Sequence, residues 1–340
     1  MLPAFKARLA RLKPYLRWGV VGVAIAILIR TLTYHWGEVT AIRISAAGWS
    51  LLLLALGVTL LAHIWSGWVW GWVLQALQQP VNGVWSTLVY LQTNLLKYLP
   101  GNVWHFYGRV RALKAVGVAN GPAIIGVALE PLLLAAAALL LGIASPTRYW
   151  PLQLGGLLLV LGTVHPRILN PVVARLGRAK ASAEEDASEL EVVGLRHYPL
   201  KPLAGEVGFV LLRGLGFGLA LSALTPLPAA AWPAMLSLFS LAWLAGLVIP
   251  GAPGGLGVFE AVAVTLLQNS LSAGVVLSTV AVYRLISTLA EALGASLAAM
   301  DQRRSCPKPD LLLTQKPGLP PQPPSTSSPL NSTRIPPSPR

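Results

Sequence analysis

Long apolar runs separated by short polar and charged stretches recur along this chain, near residues 18–33, 48–74, 121–144, 149–165, 202–223, 232–249, 257–271 and 275–299. A bilayer's hydrocarbon core is about 30 Å thick and takes about 20 apolar helical residues to cross. The pattern therefore predicts an all-α polytopic membrane protein with about eight transmembrane helices. Residues 83–99 are also apolar enough to enter the bilayer, but Lys97 lies at their end and Arg109, Arg111 and Lys114 follow. With both flanks on one side, that stretch enters and returns without crossing. A short true span with shifted neighbours is the alternative.

Two proline-glycine breaks interrupt the apolar pattern. The run from Met235 to Ile249 feeds into Pro250-Gly251-Ala252-Pro253-Gly254-Gly255-Leu256-Gly257, and the next run already contains Glu260. Each proline removes a backbone donor and each glycine lowers helix propensity, so a continuous helix cannot pass. In lipid, broken backbone persists only where protein or a wet cavity satisfies its polar groups. A polar cavity within the membrane is thus expected. The other break, Pro100-Gly101-Asn102, follows the apolar stretch that ends in Lys97-Tyr98-Leu99. Paired breaks in the two halves of a transporter point to its binding site. Both fall on one face of the predicted topology, which gives no inverted symmetry, and two ordinary interfacial turns are the rival account.

Composition agrees with a membrane protein: 54% of residues are hydrophobic and 11% charged, with a mean hydropathy of +0.63. The net charge of +14 changes the picture only by setting orientation. Lys6, Arg8, Arg11, Lys13 and Arg17 crowd residues 1–17. Arg167, Arg175, Arg178, Lys180, Arg196 and Lys201 occupy the 166–201 loop, and Arg303, Arg304, Lys308 and Lys316 follow the last run. Lys and Arg collect on the cytoplasmic side, so both termini and that loop are expected there, in a multi-pass protein of the plasma (inner) membrane. No basic helix or aromatic-basic patch stands apart from the spans, which argues against a nucleic-acid partner. No small-residue cleavage site follows Ile29-Arg30-Thr31-Leu32, so the first span is expected to stay uncleaved. Residues 301–340 are rich in Pro and Ser and cannot bury a core, which predicts a disordered tail after a membrane domain over 18–300. The single cysteine, Cys306, excludes an intramolecular disulfide framework, and the histidines show no metal-ligand spacing, so neither metal nor cofactor is expected.

Ionisable groups inside the spans carry the candidate chemistry. Each costs about 2.5–3.5 kcal/mol at a helix centre, so partners or water are expected around it. Glu130 precedes Pro131, which should loosen the span there. Arg213 follows Glu206 by two turns, and Arg284 precedes Glu291 by two turns. Folding 257–271 against 275–299 about residues 271–272 sets Glu260 level with Tyr283 and Arg284. Lys97, Arg109, Glu130, Arg213, Glu260 and Arg284 are the candidate lipid-binding residues, because a planar guanidinium binds phosphate oxygens bidentately. Structural ion pairs are the rival account, strongest for Glu206 and Glu291 near the span ends. Trp49, Trp65, Trp68, Trp70 and Trp72 are expected to anchor the membrane interfaces.

The segment Lys97 to Trp104 with Arg109, the segment Pro253 to Glu260, and Tyr283-Arg284-Leu285 together resemble the lysylphosphatidylglycerol synthase transmembrane (flippase-like) family. The likeness extends over about residues 15–300, and Pro253-Gly254-Gly255-Leu256-Gly257-Val258-Phe259-Glu260 is its most specific part. The resemblance implies a membrane region that moves a lipid between leaflets. In synthase-type members it accompanies a cytoplasmic aminoacyl-transferring domain, and similar chains are associated with lipid-linked glycosylation. No synthase domain is present here, so lysyl transfer is not expected of this chain. The expected activity is binding and translocation of an anionic phospholipid or lipid-linked head group without covalent chemistry, with a separate synthase or glycosyltransferase as partner. Two rivals stand beside it: a membrane-embedded glycosyl or acyl transferase, and an accessory subunit of a lipid-linked glycosylation system. Glu184-Glu185-Asp186 resembles a solvated charge run rather than an acidic metal motif.

Overall fold

The computed structural model describes residues 33, 37, 43–79, 81–98, 103–144, 150–181, 194–249, 257–267 and 271–304. The expected basic N-terminus, nearly all of the expected first span and the tail from residue 305 lie outside the described residues. So do Glu184-Glu185-Asp186 and the break residues Pro100, Gly101, Asn102, Pro250, Gly251, Pro253, Gly254 and Gly255. The described residues are helical and form no strand. In chain order they make α1 (Ala46–Ala76), α2 (Gly83–Asn94) with a 3-10 turn at Leu95–Tyr98, α3 (Trp104–Ala115) and α4 (Asn120–Gly142). Next come α5 (Trp150–Val164), α6 (Pro166–Ala181), α7 (Leu200–Leu224), α8 (Trp232–Val248), α9 (Val258–Leu267) and α10 (Ala273–Arg304).

Among the described residues five helical stretches are long and apolar enough to cross a membrane: α1, α4, α7, Ala229–Val248 and Ala273–Asp301. A sixth is added if α5 and the start of α6, bent by 63°, count as one span. Of the run at 257–271 the structure describes the ten-residue α9. One expectation is corrected: α4 passes through Pro131 without interruption, because neighbouring helices can shelter the carbonyl that a proline leaves without its intrahelical donor. The last helix also reaches Arg304, past the expected domain boundary at residue 300.

Between membrane helices there is little hydrophobic drive, so association depends on close packing of small residues. α1 and α7 share the most extensive contact. A Cβ on Gly205 would sit 2.6 Å from Val69, and one on Gly216 would sit 2.6 Å from the Thr59 hydroxyl. α4 packs against α7 and α8, and α10 packs against α1, α2 and α7. Phe217, Phe239, Phe259 and Tyr283 interlock mostly edge to face between α7, α8, α9 and α10, with centroids 5.2–6.1 Å apart. That cluster fixes the short α9 against two long helices.

The tryptophans depart from the expected belt. Trp49 and Trp68 are exposed, but Trp70 is fully buried and stacks on Trp85. Trp65 donates its indole N–H to the Gly205 carbonyl at 2.8 Å. A buried indole needs such a partner, and α7 and α2 lie close enough to α1 to supply contacts that interfacial water would otherwise provide.

At Gly67 of α1 the backbone of α2 itself comes close, and a Cβ would lie 2.8 Å from the Thr87 Cα, while nothing lies within 4 Å of a Cβ on Gly57 of the same helix. Gly67→Ala is therefore expected to cost about 1–3 kcal/mol through forced backbone movement, whereas Gly57→Ala should be neutral or slightly stabilising. Thermal melting of both variants in detergent checks this, and equal melting of the two would refute it.

Candidate functional site

A cavity of about 610 Å³ lies among the helices, with wall residues from α1, α2, α3, α4, α5, α7, α8, α9 and α10. Tyr98 and Val248, which stand just before the two sequence breaks, both line it. Of the six residues singled out from sequence, Lys97, Arg109, Glu130, Arg213 and Arg284 are in its wall. The sixth, Glu260, is buried behind the wall and reaches the cavity through Arg284.

Three charged clusters make up the polar lining. In the first, Arg109 of α3 forms an ion pair with Glu130 of α4. The other Glu130 oxygen accepts from the Tyr90 hydroxyl at 2.8 Å, and Ser66 of α1 donates to that hydroxyl at 2.7 Å. The Arg109 guanidinium also lies 3.8 Å from the Tyr90 ring centroid. Both charges are nearly sealed, at 2% and 5% side-chain exposure, and this partnering offsets the cost of taking them from water.

In the second cluster Glu260 pairs with Arg284 of α10, as the hairpin register suggested. The other Glu260 oxygen accepts from the Gly257 backbone N–H at 2.6 Å. Glu260 is the third residue of α9, so it closes back on the residue before the helix as the acidic partner of a capping box does. Gly257 holds φ at +83°, in the left-handed region that glycine enters without a Cβ penalty. That is the local reason for the last glycine of the second break.

The third cluster joins four elements. Lys97 donates to Glu291 Oε1 at 2.6 Å, and His63 Nε2 lies 3.3 Å from the same oxygen. Arg213 donates to the Ser287 hydroxyl at 2.7 Å and has His63 Nε2 3.3 Å from the same nitrogen, Nη1. The Tyr283 hydroxyl donates to the Arg213 carbonyl at 2.8 Å. Among the described residues no carboxylate lies within ion-pair distance of Arg213, and its Nε is buried without a hydrogen-bond partner. Glu206, two turns before Arg213 in sequence, makes no contact with it. Seven residues of helix put the two about 10.5 Å apart along the axis, and both Glu206 oxygens are buried without a partner.

Among the described residues the cavity region thus holds four cations, Lys97, Arg109, Arg213 and Arg284, against three carboxylates, Glu130, Glu260 and Glu291. Its excess is one positive charge, and Arg213 carries it. Among the described residues no three His, Cys, Asp or Glu side chains converge on a metal position. The sequence reading passed over His63, Tyr90 and Ser287, and left Glu291 outside the candidate lipid-binding set, with helix packing as the rival account for it. His63 carried a usable signal, as the ionisable side chain in the middle of the 48–74 run; Tyr90 and Ser287 carried none. No protein-family model and no curated protein sequence matches the chain.

The two ion pairs differ in shielding: Arg284 keeps 25% side-chain exposure, Arg109 only 2%. Breaking one partner of a buried pair costs about 3–5 kcal/mol, because a lone charge remains. Double-mutant cycles on melting in detergent should give a larger coupling energy for Arg109–Glu130 than for Glu260–Arg284, with both above zero. A reversed order, or no coupling in either cycle, would refute this assignment.

Proposed function

We propose that this protein binds the anionic head group of a membrane lipid, either a phospholipid or a lipid-linked carrier, in its central cavity and moves it between leaflets without covalent chemistry. The observation that carries the proposal is Arg213, a buried cavity-wall guanidinium whose described partners are neutral. A buried cation without a counter-charge is costly, and a phosphate matches its fork. The predominantly apolar remainder of the wall, including Phe209, Phe239, Trp243 and Phe259, suits the glycerol and first methylenes of a lipid.

The finer topology belongs to the same proposal: eight crossings with 83–99 re-entering, both termini cytoplasmic, in the plasma (inner) membrane. Two short helices, α2 and α3, on either side of the first break support the re-entrant element. The likeness to the lysylphosphatidylglycerol synthase transmembrane family suggests the activity class, and a separate synthase or glycosyltransferase would deliver or consume the lipid.

The test uses purified protein in phosphatidylcholine vesicles containing phosphatidylglycerol and a trace of its fluorescent analogue. Dithionite quenching from outside reports exchange between leaflets. Wild type should raise the quenched fraction above half at a rate protein-free vesicles lack. Arg213→Gln should return it to the protein-free rate at equal incorporation, and Arg213→Lys should restore it only in part, because an ammonium lacks the bidentate fork. Exchange unchanged by Arg213→Gln would overturn the role of Arg213, and a protein-free rate in wild type would overturn the function.

A further inference from the structure

The arrangement around His63 goes one step past binding. Its Nε2 stands 3.3 Å from the Arg213 Nη1 and 3.3 Å from Glu291 Oε1. A guanidinium only donates hydrogen bonds and a carboxylate only accepts them. A bare Nε2 can therefore serve Arg213, and an Nε2 bearing a proton can serve Glu291, but one nitrogen cannot serve both. The two claimants sit on different helices, α7 and α10, and the imidazole on a third, α1. Ser287 bridges the same pair, accepting from Arg213 at 2.7 Å with Glu291 Oε1 3.4 Å away. Glu291 has room for a second donor, because its Oε2 is buried with no partner.

We propose that a phosphate-bearing head group seated on Arg213 draws a proton onto His63, so that loading the cavity and taking up a proton are one event. The inference rests on the anionic-lipid reading above and adds its coupling ion. Phosphate oxygens on the Arg213 fork take the donor that a bare Nε2 accepts from. They also bring negative charge to a wall that holds Arg213 and Lys97 beside the imidazole. Nε2 then gains a proton that the bulk buffer gives up and donates to Glu291, becoming an imidazolium between a carboxylate and the arriving anion. A phosphodiester brings one negative charge and the proton one positive charge, so loading leaves the net charge of the cavity unchanged. Histidine is the side chain whose ordinary titration range allows this near neutral pH.

The charged and titratable groups around the imidazole come from every element that packs on α1. α7 supplies Arg213, and α10 supplies Glu291, with Tyr283 and Arg284 further along the same wall. The turn after α2 supplies Lys97, α2 itself Tyr90, and α4 Glu130, which is held by Arg109. Glu206 of α7 lies outside the cavity wall. Only Arg213, Glu291 and Lys97 among them form the contacts that a proton on Nε2 would rearrange.

Calorimetric titration of the full-length protein in detergent with dioctanoyl phosphatidylglycerol, in two phosphate-free buffers of different ionisation enthalpy, tests the linkage. The difference in binding heat between buffers counts the protons taken up. Wild type should take up about one proton per lipid bound, and His63→Gln, which can exchange hydrogen bonds but not gain a charge, should bind with uptake near zero. Binding with buffer-independent heat in wild type overturns the inference and leaves the lipid reading intact. Equal uptake by His63→Gln overturns it as well, by assigning the proton elsewhere. No binding heat in wild type with either the lipid or inorganic phosphate overturns both. Inorganic phosphate as a second titrant separates the sources: proton uptake on binding phosphate, with no binding heat from the lipid, upholds the proton linkage and overturns the lipid reading. The wild-type comparison needs no variant, so a misfolded His63→Gln would not spare the inference.

Discussion

Charge withdrawn from water must be answered by charge or hydrogen bonds close at hand, and the architecture around the cavity obeys that requirement. In a medium of low dielectric, interactions between charges are far stronger than in water, and so is the penalty for leaving one alone. Arg109 and Glu130 meet across α3 and α4, and Tyr90 and Ser66 extend the contact to α2 and α1. Lys97 and Glu291 tie the 3-10 turn after α2 to the last helix described. These links join helices between which the hydrophobic drive is small in lipid, and they add to close packing.

Close helix approach makes such links possible. Gly205 and Gly216 on α7 leave no space for a Cβ against α1, so the α1–α7 pair brings His63 and Arg213 within reach of each other. On the other side, Gly67 lets α2 lie on α1, with Ser86 donating to the Gly67 carbonyl at 3.2 Å. The cavity is in this sense the space left when short helices close around a tightly packed spine.

The helical class was legible because apolar runs of membrane length have few other solutions. Glu260 opposite Arg284 was legible as well, because a tight hairpin between consecutive helices turns sequence spacing into register. Lys97 and Glu291 lie 194 residues apart, and no local spacing brings a 3-10 turn against the last helix. The same holds for Arg213, whose neighbours come from α1 and α10 rather than from Glu206 on its own helix face. Glycine and proline located the breaks, because neither residue lets a helix run through such a segment. Tryptophan content indicated membrane contact, yet burial of Trp70 depends on how near α2 comes to α1, which composition does not encode.

Glu260 has two oxygens with two employments. One holds the amide at the start of α9 and the other holds a guanidinium on α10. The path of the backbone after the second break is thereby tied to an electrostatic contact on a different helix. An anion that competes for Arg284 acts on the place where α9 begins as well as on the charge of the wall. Local fold and cavity occupancy share one mechanical part, a carboxylate that works as hinge pin and counter-ion together.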